Sequence, residues 1–285
     1  MSSTHHVAQI NGQPLHYWSY GSPSATKPAV IAIHGFTGSH QGFYKIVPYL
    51  EKDYHVIAPD LPGFGESAAN MPKLSIEDHA ISIVAFITSL ALPEPPVLLG
   101  HSYGTLVVSK IHQLAPYLSD HKTILVSPIP SPVRLLDRRI VGKVLGQLHY
   151  EFGARTGAVG TWWLKRRLVS RVITRTLVMT KDSETRKEIY TEHFNNLDYL
   201  NNPYHYLTLY KELNRNGIVA YARSIDKETL IITGGKDSAA PLAEQRKAAQ
   251  LFTNAQLEVI PQAGHLAHYE HPRKITSAIM AFLGE

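Results

Sequence analysis

The sequence predicts an α/β fold, a mostly parallel central sheet flanked by helices, with a helical segment inserted into it. Three observations predict this. Short runs of almost wholly apolar, β-branched residues recur through the first 128 positions; stretches of helical period separate them; and the same alternation resumes after residue 227, beyond a long basic interval with few strand signals. The division is a core domain of residues 1–128 and 227–285 and a helical insertion of residues 129–226.

The apolar runs begin with Ala29 to His34 (AVIAIH), His55 to Pro59 (HVIAP), Val97 to Leu99 within PPVLLG, and Thr123 to Val126 within KTILVSP. A strand covered by helices on both faces has no polar side to show, so it reads as a continuous apolar run. Ile76 to Leu90 has helical period, with Ile76, Ala80, Ile83, Val84 and Ile87 as its apolar positions. Pro128, Pro130 and Pro132 mark the entrance to the insertion, because each interrupts helix and ladder hydrogen bonding. Within it, Trp162 to Met179 reads as one helix: Leu164, Leu168, Val169, Val172, Ile173 and Leu177 share a face, and Lys165, Arg166, Arg167, Arg171 and Arg175 lie mostly elsewhere. After the insertion come Leu230 to Thr233 (LIIT), a helix from about Leu242 to Phe252, Leu257 to Ile260 (LEVI), and a last helix from about Pro272 to Leu283.

With 285 residues, 44% of them hydrophobic, the chain can fill a sizeable core. It contains no cysteine, which excludes a disulfide framework, a thiolate metal site and a cysteine nucleophile. The opening MSSTHHVAQINGQ is too polar for a signal peptide, and no run of about 18 apolar residues occurs, so a soluble, cytoplasmic protein is expected. Net charge is +5, yet Ile129 to Lys227 carries 17 Lys/Arg against 9 Asp/Glu, so the flanks are mildly acidic. A solvated polar helix face or an anion-facing surface would each produce this asymmetry. Sixteen histidines raise the question of metal, but no H-E-x-x-H or comparable spacing occurs, and His5-His6 in a polar terminus is weak evidence. No metal and no cofactor are expected.

Gly100-His101-Ser102-Tyr103-Gly104 follows the strand PPVLLG and precedes the helical run TLVVSKIHQL. A G-x-S-x-G in that context sets its serine on a tight strand-to-helix turn with the hydroxyl exposed and glycines avoiding a clash on either side. A serine hydroxyl is a poor nucleophile at neutral pH, so it needs a base, and the base needs a group that fixes its tautomer. Gly234-Gly235-Lys236-Asp237 follows LIIT, and Gln262-Ala263-Gly264-His265 follows LEVI. Active sites of open α/β sheets gather beyond the carboxyl ends of strands, which puts Ser102, Asp237 and His265 on one edge.

The chain order Ser, Asp, His, with these motifs, resembles the α/β-hydrolase family, in its serine-nucleophile, esterase- or lipase-like branch with a helical cap, over nearly the whole chain. His34-Gly35-Phe36-Thr37-Gly38-Ser39 is similar to the family's oxyanion loop, and Asp60-Leu61-Pro62-Gly63-Phe64-Gly65-Glu66-Ser67 to its D-x-x-G-x-G-x-S turn. The resemblance implies Ser102 as nucleophile, Asp237 as acid, His265 as base, the backbone N–H groups of Phe36 and Tyr103 as oxyanion hole, and the insertion as cap. The strand before the cap ends Val126-Ser127-Pro128 and supplies no carboxylate, which favours Asp237. Asp60 is assigned to turn structure and His34 to orienting the oxyanion loop; His101 is expected to pack beside the nucleophile, and His268 and His271 to be surface or cap contacts.

The expected function is carboxylic-ester hydrolysis through an acyl-enzyme on Ser102. Relatives that open haloalkanes or epoxides carry aspartate at that position. C–C bond hydrolysis of diketone-like substrates is the alternative; Leu266 after His265, where C–C hydrolases often carry an aromatic, tilts against it. An alternative of another class is a receptor-like or single-turnover binding module. The expected partner is a small ester or lipid, not nucleic acid. Trp162, Trp163 and Leu266 are candidate substrate contacts. The apolar stripe is expected to pack on the core with its arginines solvated; the other reading places Arg166, Arg167, Arg171 and Arg175 against an anionic lipid surface.

Overall fold

In a computed structural model of the protein, residues 3–23, 28–67, 74–118, 122–133 and 139–284 are described. β1 (Ser3–Ile10) and β2 (Gln13–Tyr20) form an antiparallel hairpin that a search for wholly apolar runs passes over, because alternate residues are buried less. Its turn is Asn11-Gly12, with φ of 51° and 76°. Two successive positive φ values give the tight hairpin turn whose twist matches the strands, and Asn-Gly tolerates them best.

The hairpin lies at one edge of an eight-stranded sheet of order β1-β2-β4-β3-β5-β6-β7-β8. Its other strands are β3 (Val30–Ile33), β4 (Val56–Pro59), β5 (Val97–His101), β6 (Thr123–Val126), β7 (Thr229–Gly234) and β8 (Ala255–Ile260). β2 pairs antiparallel with β4, and every later pairing is parallel. The six parallel strands are those the apolar runs predict, with ends that coincide or shift by at most two residues.

Helices cover both faces. Ile31, Ile33 and Leu98 point to the side where α2 (Ile76–Ser89) and α3 (Tyr103–Leu114) supply Ile83, Phe86, Leu106 and Val107. Val30, Ala32 and Leu99 point the other way, toward Val47 and Leu50 of α1 (Val47–Leu50) and Ile275 and Ile279 of α11 (Pro272–Leu283). Period-two alternation thus feeds two apolar layers, each buried aliphatic side chain contributing about 1.5–3 kcal/mol. α9 (Leu242–Ala249) covers the first face, and α10 (Ala267–Glu270) follows β8. Ser75 starts α2 with a reciprocal cap: Asp78 N–H donates to Ser75 Oγ at 3.1 Å and Ser75 N–H to Asp78 Oδ2 at 2.8 Å.

Between β6 and β7 lie α4 (Ile140–Arg155), α5 (Gly157–Leu164), α6 (Arg167–Leu177), α7 (Ser183–Asn196) and α8 (Pro203–Arg215). Residues 134–138 of the predicted insertion fall outside the described residues. Tyr150 and Ala154 of α4 and Tyr206 and Leu209 of α8 join the same apolar cluster as α2 and α3. The single helix expected over Trp162 to Met179 is two, because Arg166 is extended (φ −75°, ψ 116°) and breaks the ladder. The expected common apolar face breaks with it: Leu164 is buried over Gly153, whereas Leu168 and Val172 are 73% and 61% exposed. Among the described residues, no helix is long and apolar enough to cross a membrane.

Candidate active site

Ser102 stands between β5 and α3 with φ 50° and ψ −114°, a conformation that costs an L-residue about 1–3 kcal/mol. Its surroundings hold it there. Ser102 N–H donates to Val126 O at 3.0 Å, and Ser102 O accepts from Thr105 N–H at 3.0 Å and Thr105 Oγ1 at 2.6 Å. A Cβ on Gly100 would fall 2.7 Å from Gly104 O, and one on Gly104 only 2.1 Å from Ile33 O, so the G-x-S-x-G glycines let α3 turn back against its own strand and against β3.

The three predicted side chains meet in a row. Ser102 Oγ is 2.8 Å from His265 Nε2, and His265 Nδ1 is 2.8 Å from Asp237 Oδ2. Asp237 Oδ1 accepts from Ala239 N–H at 2.9 Å and Ala240 N–H at 2.8 Å, which fixes the carboxylate in the loop after β7. All three residues are buried. Burial works against a charged imidazole at His265, but the charge and hydrogen bond of Asp237 outweigh it, and the net shift is upward. Since Asp237 accepts at Nδ1, Nε2 is left to take the serine proton.

Around the serine, Gly38 N–H donates to Gly35 O at 3.1 Å, closing a turn over Phe36 and Thr37 in which Thr37 has a φ of 57°. Buried His34 braces it: Nδ1 donates to Gly35 O at 2.8 Å, and Nε2 accepts from Leu61 N–H at 3.0 Å. Burial lowers its pKa, which keeps that single tautomer neutral. Tyr103 opens α3, where an amide has no intrahelical acceptor. His79 Nε2 donates to Pro62 O at 2.8 Å, leaving Nδ1 to accept the Tyr103 hydroxyl, also at 2.8 Å. Asp60 serves structure: Oδ1 accepts from His40 N–H and Nδ1 at 2.6 and 2.9 Å, and Oδ2 from Glu66 N–H at 2.8 Å. A polar cavity of about 270 Å³ opens beside it, walled by Ser39, His40, Asn195, Asp198 and Tyr199.

The walls differ from expectation. Phe36 makes ring contacts with Tyr150 of α4 and with Tyr206 and Tyr210 of α8, at 5.5, 6.1 and 6.2 Å. These tyrosines escape a sequence reading because no motif marks them and the fold alone brings α4 and α8 over the loop. Trp162 and Trp163, the candidate substrate contacts of the insertion, are exposed, with the Arg166 guanidinium over the Trp162 ring and Trp163 Nε1–H donating to His149 Nδ1. Leu266 is buried against Ile189 and Tyr269. His101 packs beside the site, its ring 4.0 Å from that of His268, which is buried.

The insertion is fastened to the catalytic edge. His265 N–H donates to Leu177 O at 3.1 Å, and Ser238 Oγ to Thr176 O at 3.0 Å. Glu270 bridges them, Oε2 accepting from Gly264 N–H at 2.7 Å and Oε1 from the amides of Met179 and Thr180. Behind it, the Tyr269 hydroxyl donates to buried Glu192, whose carboxyl burial pushes up to about 8. Among the described residues, the one grouping with metal-ligand character is His5, His16 and Glu66, on the β1–β2 edge and away from the triad, with separations of 3.1, 3.6 and 3.9 Å.

A sheet of this order, with serine after β5, carboxylate after β7 and histidine after β8, defines a class, and the family model described as alpha/beta hydrolase fold matches residues 28–272. The chain belongs to that family. Among its relatives, an uncharacterized hydrolase YugF of Bacillus subtilis is 23% identical over 96% of each chain. Monoacylglycerol lipase ABHD6 of Rattus norvegicus is 25% identical over 93% of this chain and 78% of its own. The esterase EaEST of Exiguobacterium antarcticum superposes with a TM-score of 0.81 at 18% identity, covering 99% of this chain and 100% of its own, a likeness of fold.

Proposed function

We propose that the protein is a serine hydrolase of carboxylic esters, with Ser102 as nucleophile, His265 as general base and then acid, and Asp237 as the group that orients the histidine. The observation that carries this reading is the unbroken row of two 2.8 Å contacts from hydroxyl to imidazole to carboxylate. Ser102 Oγ attacks the ester carbonyl carbon as its proton passes to His265 Nε2. The oxyanion is received by the amides of Phe36 and Tyr103, each such donor being worth about 2.7–4 kcal/mol. The tetrahedral adduct collapses, the alcohol leaves with the proton from His265, and water, deprotonated by the same imidazole, releases the acid and restores Ser102.

The insertion acts as a cap, with Tyr150, Tyr206 and Tyr210 beside Phe36 forming an aromatic wall for the substrate. The relatives' printed activities, a monoacylglycerol lipase and an esterase, agree with an ester substrate. A series of p-nitrophenyl esters of increasing acyl length tests the reading. Sustained turnover by the wild type, abolished in Ser102→Ala, is expected; a single equivalent of p-nitrophenol followed by no release would indicate a binding module, and equal turnover by the variant would refute the assignment.

A further inference from the structure

We propose that the outer face of α4, α5 and α6 is a docking surface for anionic lipid bilayers. Among the described residues, eleven of the seventeen large hydrophobic side chains left exposed lie between Val141 and Ile173. On α4 they are Val141, Val144, Leu145, Leu148 and Phe152, at helical spacing along one face. On α5 they are Val159, Trp162 and Trp163, and on α6 Leu168, Val172 and Ile173. The α4 and α5 parts meet, because the Phe152 ring lies 5.8 Å from Trp163, and Arg166, the residue before α6, sets its guanidinium 4.5 Å from the Trp162 ring. Scattered exposed hydrophobic residues need no explanation; eleven concentrated on three consecutive helices do.

Charge selects the occupant. From Ile140 to Leu177 there are seven lysines and arginines and one acidic residue, Glu151, which already faces Arg155 and Lys211. Arg167 and Arg171, on the same helix as Leu168, Val172 and Ile173, lie over the rings of Phe194 and Tyr190 on α7. Trp, Phe and Leu on one side with Lys and Arg around it is what a helix needs to lie in the headgroup region of an anionic leaflet. A second copy of the chain is the poorer occupant, since a symmetric pairing would bring the two basic rims together. α6 also ends at Leu177, whose carbonyl holds His265, so docking would seat the catalytic edge close to the bilayer.

The test is flotation of the full chain with vesicles of phosphatidylcholine alone and of phosphatidylcholine with phosphatidylglycerol, at low and high salt. Flotation with the anionic vesicles, weakened by salt, is expected, and Ser102→Ala floats equally because docking does not need the nucleophile. Neutralising Arg171 or Arg175 should lower the partition coefficient roughly fivefold each. Leu145→Glu and Leu168→Glu, whose side chains are 61% and 73% exposed, should remove binding while leaving hydrolysis of a soluble ester unchanged. No flotation with anionic vesicles, flotation indifferent to both glutamate variants, or a dimer in sedimentation that the same variants dissolve would each overturn the proposal.

Discussion

The carbonyl of Leu177, the last residue of α6, accepts the amide hydrogen of His265 at 3.1 Å, so the loop that carries the base is held by a residue of the insertion. Glu270 doubles the tie by receiving Gly264 N–H on one oxygen and the Met179 and Thr180 amides on the other. Glu270→Gln presents an NH₂ to one of those donors and leaves a part-buried amide unpaired, a loss of about 1–3 kcal/mol. The expected result is a lower melting temperature together with a reduced kcat on a soluble ester; an unchanged kcat would mean that the tie does not position His265.

The pH dependence follows from His265. Its pKa is raised, burial opposing the shift and Asp237 prevailing, and only the neutral imidazole can accept the serine proton. Activity should therefore fall with decreasing pH through a value above the ordinary imidazole range near about 6.5. A kcat/KM profile measures it, and an acid limb below that range contradicts the electrostatic account of the His265–Asp237 contact.

Gly104→Ala tests the elbow. A methyl group would sit 2.1 Å from Ile33 O and 2.7 Å from His34 O, both backbone atoms that cannot rotate away. α3 must shift from β3, at a cost of about 1–3 kcal/mol or more, and Ser102 must move with it. Denaturant unfolding should show the lost stability; a variant as stable and active as wild type would mean the elbow is looser than described.

Glu192 makes a separable prediction about stability. Burial raises its carboxyl from 4.5 to about 8, so protonation favours the folded state. The resulting stability is fully present below the unfolded value and is lost as pH rises through about 8. Glu192→Gln keeps the shape without the charge, and its melting temperature should gain on wild type as pH rises across that window. A difference independent of pH would show that Glu192 is already ionised in the folded chain.

Six of the eight strands and the serine, aspartate and histidine were legible because parallel strands buried on both faces are apolar throughout and the three side chains sit in glycine-bearing loops at their ends. The β1–β2 hairpin was not, since its alternation is weak beside apolar runs; Asn11-Gly12 is the signal that would have found it. The break at Arg166 is hidden because Lys165 and Arg166 are good helix formers, so nothing in the local sequence marks the extended backbone that Arg166 adopts. Tyr150, Tyr206, Tyr210 and Glu270 depend on helix packing that no local pattern encodes.

The central claim, a covalent acyl group on Ser102, is tested most directly by incubating the protein with a p-nitrophenyl ester, quenching in acid and mapping the adduct by peptide mass spectrometry. The acyl mass is expected on the peptide containing Ser102, and its absence in Ser102→Ala. An acyl group on another residue, or full ester turnover by Ser102→Ala, would contradict it.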